Sequence, residues 1–298
     1  MNETINEENK LAAETPEAAA PEADHTVIDH SETEDAKVKK PKAKKKKAPM
    51  SGIRLALVIF CLCVVCFSSF KLIGILREYK KGTDTYSEVE NVAFKPSSHT
   101  SSESEDDKSI VPDIDFTALK EISGNAAAWL YSPGTVINYP VAKTKDNSYY
   151  LDHLIDGTYN SNGCLFVDYR NTDGFADKNT VIYGHRMKNG KMLSSITSYN
   201  KQDYYDKHPV MYLITPDGKY ELQIFSAYIT EATSAAYKRK FDSDEKFAEW
   251  LDNAIKHSYV KTDVQVGPQD RVVTLSTCVR ADDIRRFIAI GKMVRIED

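Results

Sequence analysis

An apolar stretch of 22 residues, Leu55–Leu76, limits what this chain of 298 residues can fold into more than any other feature. As a helix it would be about 33 Å long, enough to cross the hydrocarbon core of a bilayer. Its only charged residue, Lys71, lies near one end, where a long side chain can reach the interface. The stretch is apolar on all sides, and about fifty residues precede it, which argues against a buried core helix and against a cleaved signal peptide. We therefore predict one transmembrane helix over residues 53–76.

The segments on either side of this stretch differ in composition. Residues 1–50 contain no aromatic residue, are acidic at first, and carry eight lysines between positions 37 and 47. Such a segment buries too little apolar surface to fold, so we predict a disordered tail. Lysines directly before a transmembrane helix indicate a cytoplasmic tail rather than a nucleic-acid-binding patch. We predict that polar residues 77–111 form an extended extracellular linker and that 112–298 form one extracellular domain.

Short runs of β-branched and apolar residues dominate this domain. The runs lie at 135–141, 163–168, 179–184, 209–215, 219–229, 271–277 and 287–296. A hairpin turn is predicted at 215–218, where the sequence is Thr-Pro-Asp-Gly. Helical periodicity over 113–131, and again after a predicted N-cap at Asp242, indicates helices among the strands. Seven or so strands with few helices are typical of a β-barrel or a β-sandwich.

Three of these runs bring chemically reactive side chains to strand ends. The run 271–277 leads into Cys278, and Arg286 comes directly before the run 287–296. If 279–285 connects antiparallel neighbours, the thiol and the guanidinium lie side by side. A third run ends in His185. A nucleophile, a proton partner and a positive donor for an oxyanion are the groups that thiol-based acyl transfer needs.

These residues resemble the active-site strands of sortases, the cysteine transpeptidases that attach proteins to the cell wall of Gram-positive bacteria. The similarity rests on TLSTC at 274–278, YGHRM at 183–187 and RRF at 285–287. The segment 162–170 is similar to class B sortases, and the resemblance covers roughly 112–298. It implies a mostly β fold, an eight-stranded β-barrel with N-terminal helices and one long helix before the Cys strand.

The resemblance also implies a role for individual residues. Cys278 would be the nucleophile that forms a thioacyl-enzyme, His185 the proton carrier, and Arg286 the donor to the substrate carbonyl. Three further positions would contact substrate: Ser276, Thr277 and Tyr183. A plain strand hydroxyl remains the alternative for Ser276. Because neighbouring strand residues face opposite sides, only one of Arg285 and Arg286 can point at the thiol, and the resemblance favours Arg286.

The implied partners are secreted proteins with a C-terminal sorting signal, an Asn-Pro- or Ser-Pro-like pentapeptide with Thr before the cut. The implied acceptor is an amine of peptidoglycan or of its lipid-linked precursor. No cofactor is implied, and we predict no metal, because Asp168, Asp173 and Asp177 lack the pattern of a calcium loop. Cys164 lies in an apolar run and is predicted to fill the core.

Two other functions remain compatible with the residues alone. An L,D-transpeptidase also uses Cys, His and Arg on a β fold, although the Gly before its Cys is absent here. A non-catalytic surface-binding or pilus module would not need the three reactive side chains at all.

Overall fold

The computed structural model describes residues 52–94, 111–279 and 282–297, so the predictions for residues 1–50 lie outside the described residues. The α-helices are α1 (Gly52–Ala93), α2 (Phe116–Ile122), α3 (Gln202–Lys207) and α4 (Asp244–His257). The strands are β1 (Ala126–Tyr131), β2 (Asn138–Lys143), β3 (Leu165–Val167), β4 (Asn179–Tyr183), β5 (Val210–Thr215), β6 (Gly218–Glu231), β7 (Val272–Val279) and β8 (Asp282–Arg295). A 3₁₀ helix over Leu193–Asn200 precedes α3.

The eight strands close into a barrel in the order β1-β2-β3-β4-β7-β8-β6-β5. The pairs β2–β3 and β4–β7 are parallel, and the other six pairs are antiparallel. Helices α1 and α2 precede the barrel, and α4 is the long helix before β7. The predicted eight-stranded barrel with N-terminal helices is therefore confirmed. The turn predicted at 215–218 is found where β5 meets β6, with Thr215 paired to Gly218.

Alternation along β7 and β8 separates two layers of the core. Leu275 belongs to the main cluster of buried residues, whereas Val272 and Ile288 belong to a second cluster with helix α4. From α4, Phe247 and Leu251 are buried in that second cluster. Because successive strand residues face opposite sides, one strand serves both layers. Along β7 the first six residues are buried and the last two are half-buried, so only the end of the strand is open to solvent.

The N-cap of α4 and the limits of β7 and β8 differ from prediction. Ser243, not Asp242, caps α4: its side chain accepts a hydrogen bond from the backbone N–H of Lys246 at 3.3 Å. The two strands also extend beyond the predicted runs, to Val279 on one side and from Asp282 on the other. Mutual pairing lengthens both strands, because each supplies the backbone partners that the other needs. The connection is therefore much shorter than the predicted 279–285.

The region 77–94 differs from the extended linker predicted over 77–111. Helix α1 continues to Ala93 and buries one face against the barrel. The buried residues recur every three or four positions: Gly82, Tyr86, Val89 and Ala93. This helical periodicity is present in the sequence, but the polar residues between obscured it. Residues 95–110 of the predicted linker lie outside the described part of the chain.

Residues 126–131 were predicted within a helical region, and this prediction is wrong. They form β1, which pairs antiparallel with β2 on one side and β5 on the other. Trp129 and Leu130 are completely buried there. The alanines of this segment favour a helix, but the barrel supplies two strand partners, and pairing overrides a propensity worth tenths of a kcal/mol per residue. Only Phe116–Ile122 of the predicted helical region is α-helical.

Candidate active site

The strands β7 and β8 place Cys278 and Arg286 directly opposite each other. Their Cα atoms are partners in the antiparallel ladder, and the neighbouring pair is Thr277 with Phe287. Cys278 is a free, half-buried thiol at the open end of β7. The register therefore brings a thiol and a guanidinium-bearing residue together, although they are eight positions apart in the chain.

A cavity of about 230 Å³ lies at this end of the barrel. All six residues predicted as catalytic or substrate-binding line it: Tyr183, His185, Ser276, Thr277, Cys278 and Arg286. Arg285, the alternative candidate for the role of Arg286, is exposed and lies opposite Glu231 on β6. It does not line the cavity. Of the two arginines, only Arg286 therefore lines the cavity, as expected where neighbouring strand residues face opposite sides.

The loop after β4 holds His185 against a backbone carbonyl. His185 Nε2 lies 2.6 Å from the carbonyl oxygen of Leu151. A carbonyl can only accept, so Nε2 carries the hydrogen and Nδ1 is the nitrogen whose protonation can change. Gly163 makes this arrangement possible: its φ is +59°, and a Cβ there would lie 2.5 Å from the Tyr150 carbonyl oxygen and 3.0 Å from His185 Cδ2. Close backbone packing therefore fixes the orientation of the imidazole.

A buried carboxylate supports the floor of the cavity. Asp168 is completely buried and receives hydrogen bonds from Arg170 Nε at 2.9 Å and Nη2 at 2.6 Å. The hydroxyl of Tyr183 also donates to Asp168 Oδ2, at 2.9 Å. Burial alone would raise the pKa of Asp168, but the bonds from Arg170 and Tyr183 outweigh it and lower this pKa to about 2. Burial and the Asp168 charge raise the pKa of Tyr183, so its hydroxyl stays protonated and holds its place.

Several cavity residues were missed by the sequence analysis. Tyr237, from the long connection between β6 and β7, hydrogen-bonds through its hydroxyl to Ser276 Oγ at 2.9 Å. Its ring stacks near Tyr183, with centroids 6.0 Å apart. The other missed residues are Asn147, Leu151, Phe166, Gly184 and Ala232. Asn147, Leu151 and Ala232 lie between strands and outside any motif, so only the fold brings them to the cavity. Phe166 belongs to β3, and Gly184 belongs to the YGHRM segment. The Ser276 hydroxyl is thus already engaged by a protein partner.

Two acidic residues near the cavity, Asp168 and Asp177, are bonded to other side chains rather than arranged around a metal ion. Asp168 binds Arg170, as above, and Asp177 accepts from the Asn171 side chain at 2.8 Å. Within residues 52–94, 111–279 and 282–297, no group of three or more His, Cys, Asp or Glu side chains is placed to hold a metal ion.

Comparison with known proteins identifies this arrangement. The family profile described as "Sortase domain" matches residues 130–294. Sortase B of Staphylococcus aureus is 32% identical over 183 residues, covering 61% of this chain and 75% of the relative. Sortase B of Listeria monocytogenes is 35% identical over 178 residues, covering 59% of this chain and 72% of the relative.

Solved structures are similar as well. Sortase B from Bacillus anthracis in complex with AAEK1 superimposes with a TM-score of 0.64 at 32% identity, covering 74% of this chain and 100% of that structure. The Staphylococcus aureus sortase B–substrate complex gives 0.58 at 31% identity, covering 61% of this chain and 85% of that structure.

The chain therefore belongs to the sortase family. Its relatives place it in class B, and it is accordingly a cysteine transpeptidase. This assignment decides against both an L,D-transpeptidase and a non-catalytic binding or pilus module.

Proposed function

We propose that this protein is a membrane-anchored sortase that joins secreted proteins to an amine of the cell wall. The observation that carries the proposal is the direct pairing of Cys278 with Arg286 at a cavity that His185 also lines. The three groups that acyl transfer needs converge there from three different strands or strand ends.

In the first step, the Cys278 thiolate attacks the carbonyl carbon of the Thr in the sorting signal. The C–S bond forms as the carbonyl becomes an oxyanion, and the Arg286 guanidinium donates to that oxygen. As the oxyanion collapses, the peptide C–N bond breaks and the leaving amine takes a proton from His185 Nδ1. The product is a thioacyl-enzyme together with the C-terminal fragment of the substrate.

In the second step, an amino group of peptidoglycan or of its lipid-linked precursor attacks the thioester. His185 Nδ1 takes the proton that this amine loses, a new amide forms, and Cys278 leaves as thiolate. The bond from Nε2 to the Leu151 carbonyl keeps the imidazole in one orientation through both steps. The proton that His185 gives in the first step is thus regained in the second.

Substrate contacts follow from the floor of the cavity. We assign Ser276, Thr277 and Tyr183 to the sorting signal, which we take to be of the Asn-Pro or Ser-Pro class. The Tyr183 hydroxyl is held by Asp168 and the Ser276 hydroxyl by Tyr237, so each presents a fixed polar group or ring face. Thr277 also lines the cavity, but its Oγ1 is buried, so we assign its contact with substrate to the backbone beside Cys278 rather than to the hydroxyl.

Membrane anchoring rests on α1, the one described helix that is long and apolar enough to cross a bilayer. The eight lysines at 37–47 favour an N-terminus in the cytoplasm and a catalytic domain outside. Protease added to intact protoplasts should remove the domain after residue 80 and spare the N-terminal tail. Protection of the domain would reverse the orientation.

Mass spectrometry of the protein incubated with candidate sorting peptides tests the chemistry. We expect an adduct on Cys278 that adds the mass of the peptide up to Thr less one water, and its disappearance when an amine acceptor is added. The Cys278→Ala variant is the control that should form no adduct. A folded protein that forms no adduct with sorting peptides of any class would contradict the proposal.

A further inference from the structure

Two contacts between helix α1 and the segment 160–163 lie one helical turn apart. The hydroxyl of Tyr86 donates to the carbonyl oxygen of Gly163 at 2.5 Å. One turn closer to the membrane, Gly82 lies against Asn162 so tightly that a Cβ at position 82 would collide with the Asn162 amide. The segment therefore runs along the helix. Going back along the chain from Gly163 to Asn160, its residues contact positions of α1 that are successively closer to the membrane span.

A third contact lies one further turn down. Glu78 accepts hydrogen bonds from Asn160 Nδ2 at its carbonyl oxygen, at 3.0 Å, and from the Ser161 N–H at its carboxylate, at 2.8 Å. Glu78 is only two residues, about 3 Å along the helix, beyond Leu76, the last apolar residue of the predicted membrane span. The headgroup layer on each side of a bilayer is about 5–8 Å thick. Asn160 and Ser161 are therefore held at headgroup depth.

The hairpin that contains these residues carries exposed aromatic and apolar side chains. Its two arms pair through Cys164 N–H to Tyr150 O and through Asn160 N–H to Asp152 O, both at 2.9 Å. On its surface Tyr159 is 68% exposed, although it adjoins the residue bonded to Glu78. Two more large aromatic or apolar side chains of the hairpin are exposed, Tyr149 and Leu151. Tyrosine concentrates at membrane interfaces, where its ring is buried and its hydroxyl is hydrated.

We propose that the hairpin 149–163 is a second membrane contact, in which Tyr159 inserts into the headgroup layer of the leaflet beside the C-terminal end of the membrane helix. This proposal rests on the membrane anchoring proposed above. Because α1 is one continuous helix through Gly82, the anchor and the hairpin contact hold the domain at one height above the bilayer. The domain is thus docked on the bilayer surface. The predicted extended linker would instead have let its distance from the membrane vary.

The charges of the hairpin decide what kind of contact this is. Asp156, at its tip, accepts from the N–H and the hydroxyl of Thr158, both at 2.9 Å. Asp152 lies 2.7 Å from His153 Nδ1. These carboxylates give the hairpin no attraction to anionic lipid. The contact therefore depends on aromatic burial in the headgroup layer, and neither added salt nor anionic lipid should strengthen or abolish it.

Docking would also bring the catalytic cavity close to the bilayer. Gly163 packs against His185, and the exposed Leu151 lines the cavity while its carbonyl holds the imidazole. The Tyr86 residue that binds Gly163 is ten residues, about 15 Å, beyond Leu76. The reactive groups thus lie little more than a headgroup layer away from the membrane surface. A lipid-linked amine could reach the thioester there without leaving the bilayer.

Fluorescence quenching of the full chain in phosphatidylcholine vesicles tests this contact. Tyr159→Trp reports on the hairpin, and bromine atoms near the lipid headgroups quench indole at short range. Val136→Trp is the matched control: Val136 is 38% exposed and lies two residues before Asn138, which bonds Glu90, about 21 Å beyond Leu76. The signal of the parent chain, with its two native Trp, is subtracted.

We expect brominated lipid to quench Tyr159→Trp severalfold more strongly than Val136→Trp, equally at low and high salt and without anionic lipid. Equal quenching at both positions would overturn the contact. Quenching that requires phosphatidylglycerol and vanishes in salt would overturn its aromatic basis, and a response to purified peptidoglycan but not to lipid would assign the hairpin to the wall instead.

Flotation of the vesicles separates this inference from the proposed function. If the chain fails to float with the vesicles, the anchoring fails and the hairpin contact fails with it. If the chain floats and forms the thioacyl adduct without quenching at position 159, only the hairpin contact is wrong. If quenching occurs but no sorting peptide reacts, the contact stands and the proposed chemistry fails.

Discussion

Cys164 and Cys278 are identical thiols in one barrel, but their surroundings give them different properties. Cys164 is 1% exposed, and its Sγ lies 3.6 Å from the carbonyl oxygen of Pro140. Burial raises the pKa of Cys164 to about 12, against which a hydrogen bond with Tyr86 has a smaller effect. Cys278 is half-buried at a cavity, beside Arg286. The place of each thiol in the barrel, rather than its residue type, therefore separates a side chain that fills the core from one that lines the cavity.

The comparison shows how the surroundings of the two thiols differ. Cys164 lies directly before β3 and packs against Tyr86 of α1, where burial disfavours its thiolate. Cys278 lies at the open end of β7, where a neighbouring strand supplies a guanidinium. Five predictions test this contrast, ordered by the size of the expected effect.

The largest effect is expected from removing each thiol in turn. Cys278→Ala should abolish thioacyl formation and transfer, because no other described thiol lines the cavity. Cys164→Ala should keep activity within a few-fold of the parent. Peptide cleavage followed by mass spectrometry measures both, with circular dichroism to show folding. Turnover by Cys278→Ala near the parent level would contradict the mechanism.

The second effect concerns the cation beside Cys278. Loss of an oxyanion donor typically lowers the rate about 10²–10³-fold, and we expect at least that loss in kcat/KM for Arg286→Ala. Arg286→Lys should recover only part of it, because an ammonium lacks the planar two-pronged geometry of guanidinium. Arg285→Ala is the matched control and should stay within a few-fold. If Arg285→Ala rather than Arg286→Ala loses most of its kcat/KM, the register of β8 is wrong by one residue.

The third effect is the difference in accessibility. In the fragment 77–298, which lacks the cysteines of the membrane span, iodoacetamide should label Cys278 at least about 100-fold faster than Cys164, since the latter reacts only after opening. The fragment 112–298 loses Tyr86 and the rest of the α1 face that covers Cys164. Labelling of Cys164 should then become rapid. Equal protection of Cys164 in both fragments would show that α1 does not cover it.

The fourth effect concerns the pKa of a buried group that has a charged partner. Asp168 is buried like Cys164, but it is hydrogen-bonded to Arg170. Burial opposes ionisation of Asp168, but the hydrogen bonds from Arg170 lower its pKa from 3.8 to about 2. The folded state therefore binds this proton more weakly than the unfolded state. The resulting stability, about 2 kcal/mol, is complete above pH 4 and is lost as the pH falls toward 2.

Urea unfolding of the parent chain and of Asp168→Asn between pH 2 and 6 measures this contribution. The parent should lose stability more steeply than the variant as the pH falls. Parallel curves for the two proteins would rule out the contribution of Asp168.

The smallest effect is on stability at neutral pH. Cys164→Ala leaves a small void in the core and should cost about 1 kcal/mol of unfolding free energy. Cys278→Ala removes a half-buried group at a cavity and should change stability by less than about 0.5 kcal/mol. Urea unfolding at pH 7 compares the two. A larger loss for Cys278→Ala would assign that thiol a packing role.

Much of the site could be predicted because its signals are local in the sequence. The TLSTC segment of β7, the Gly-His pair that follows β4 and the Arg-Arg-Phe segment of β8 are each recognisable from their residue types alone. The alternation of strand residues predicted that only one of Arg285 and Arg286 faces Cys278, and the family resemblance favoured Arg286. By contrast, Ala126–Tyr131 looked helical, because its strand character comes from partners in β2 and β5 that a local pattern does not contain.

The sequence by itself determined the apolar span, the number and alternation of most strands, and the chemical identity of the reactive groups. These properties depend on residue type and spacing within a few positions. Only the tertiary structure decided that 77–93 continues the membrane helix and covers Cys164, that Tyr237 binds Ser276, and that Leu151 holds His185. Each of these contacts joins residues 34 or more positions apart, and such distant pairing is set by barrel closure, not by local propensity.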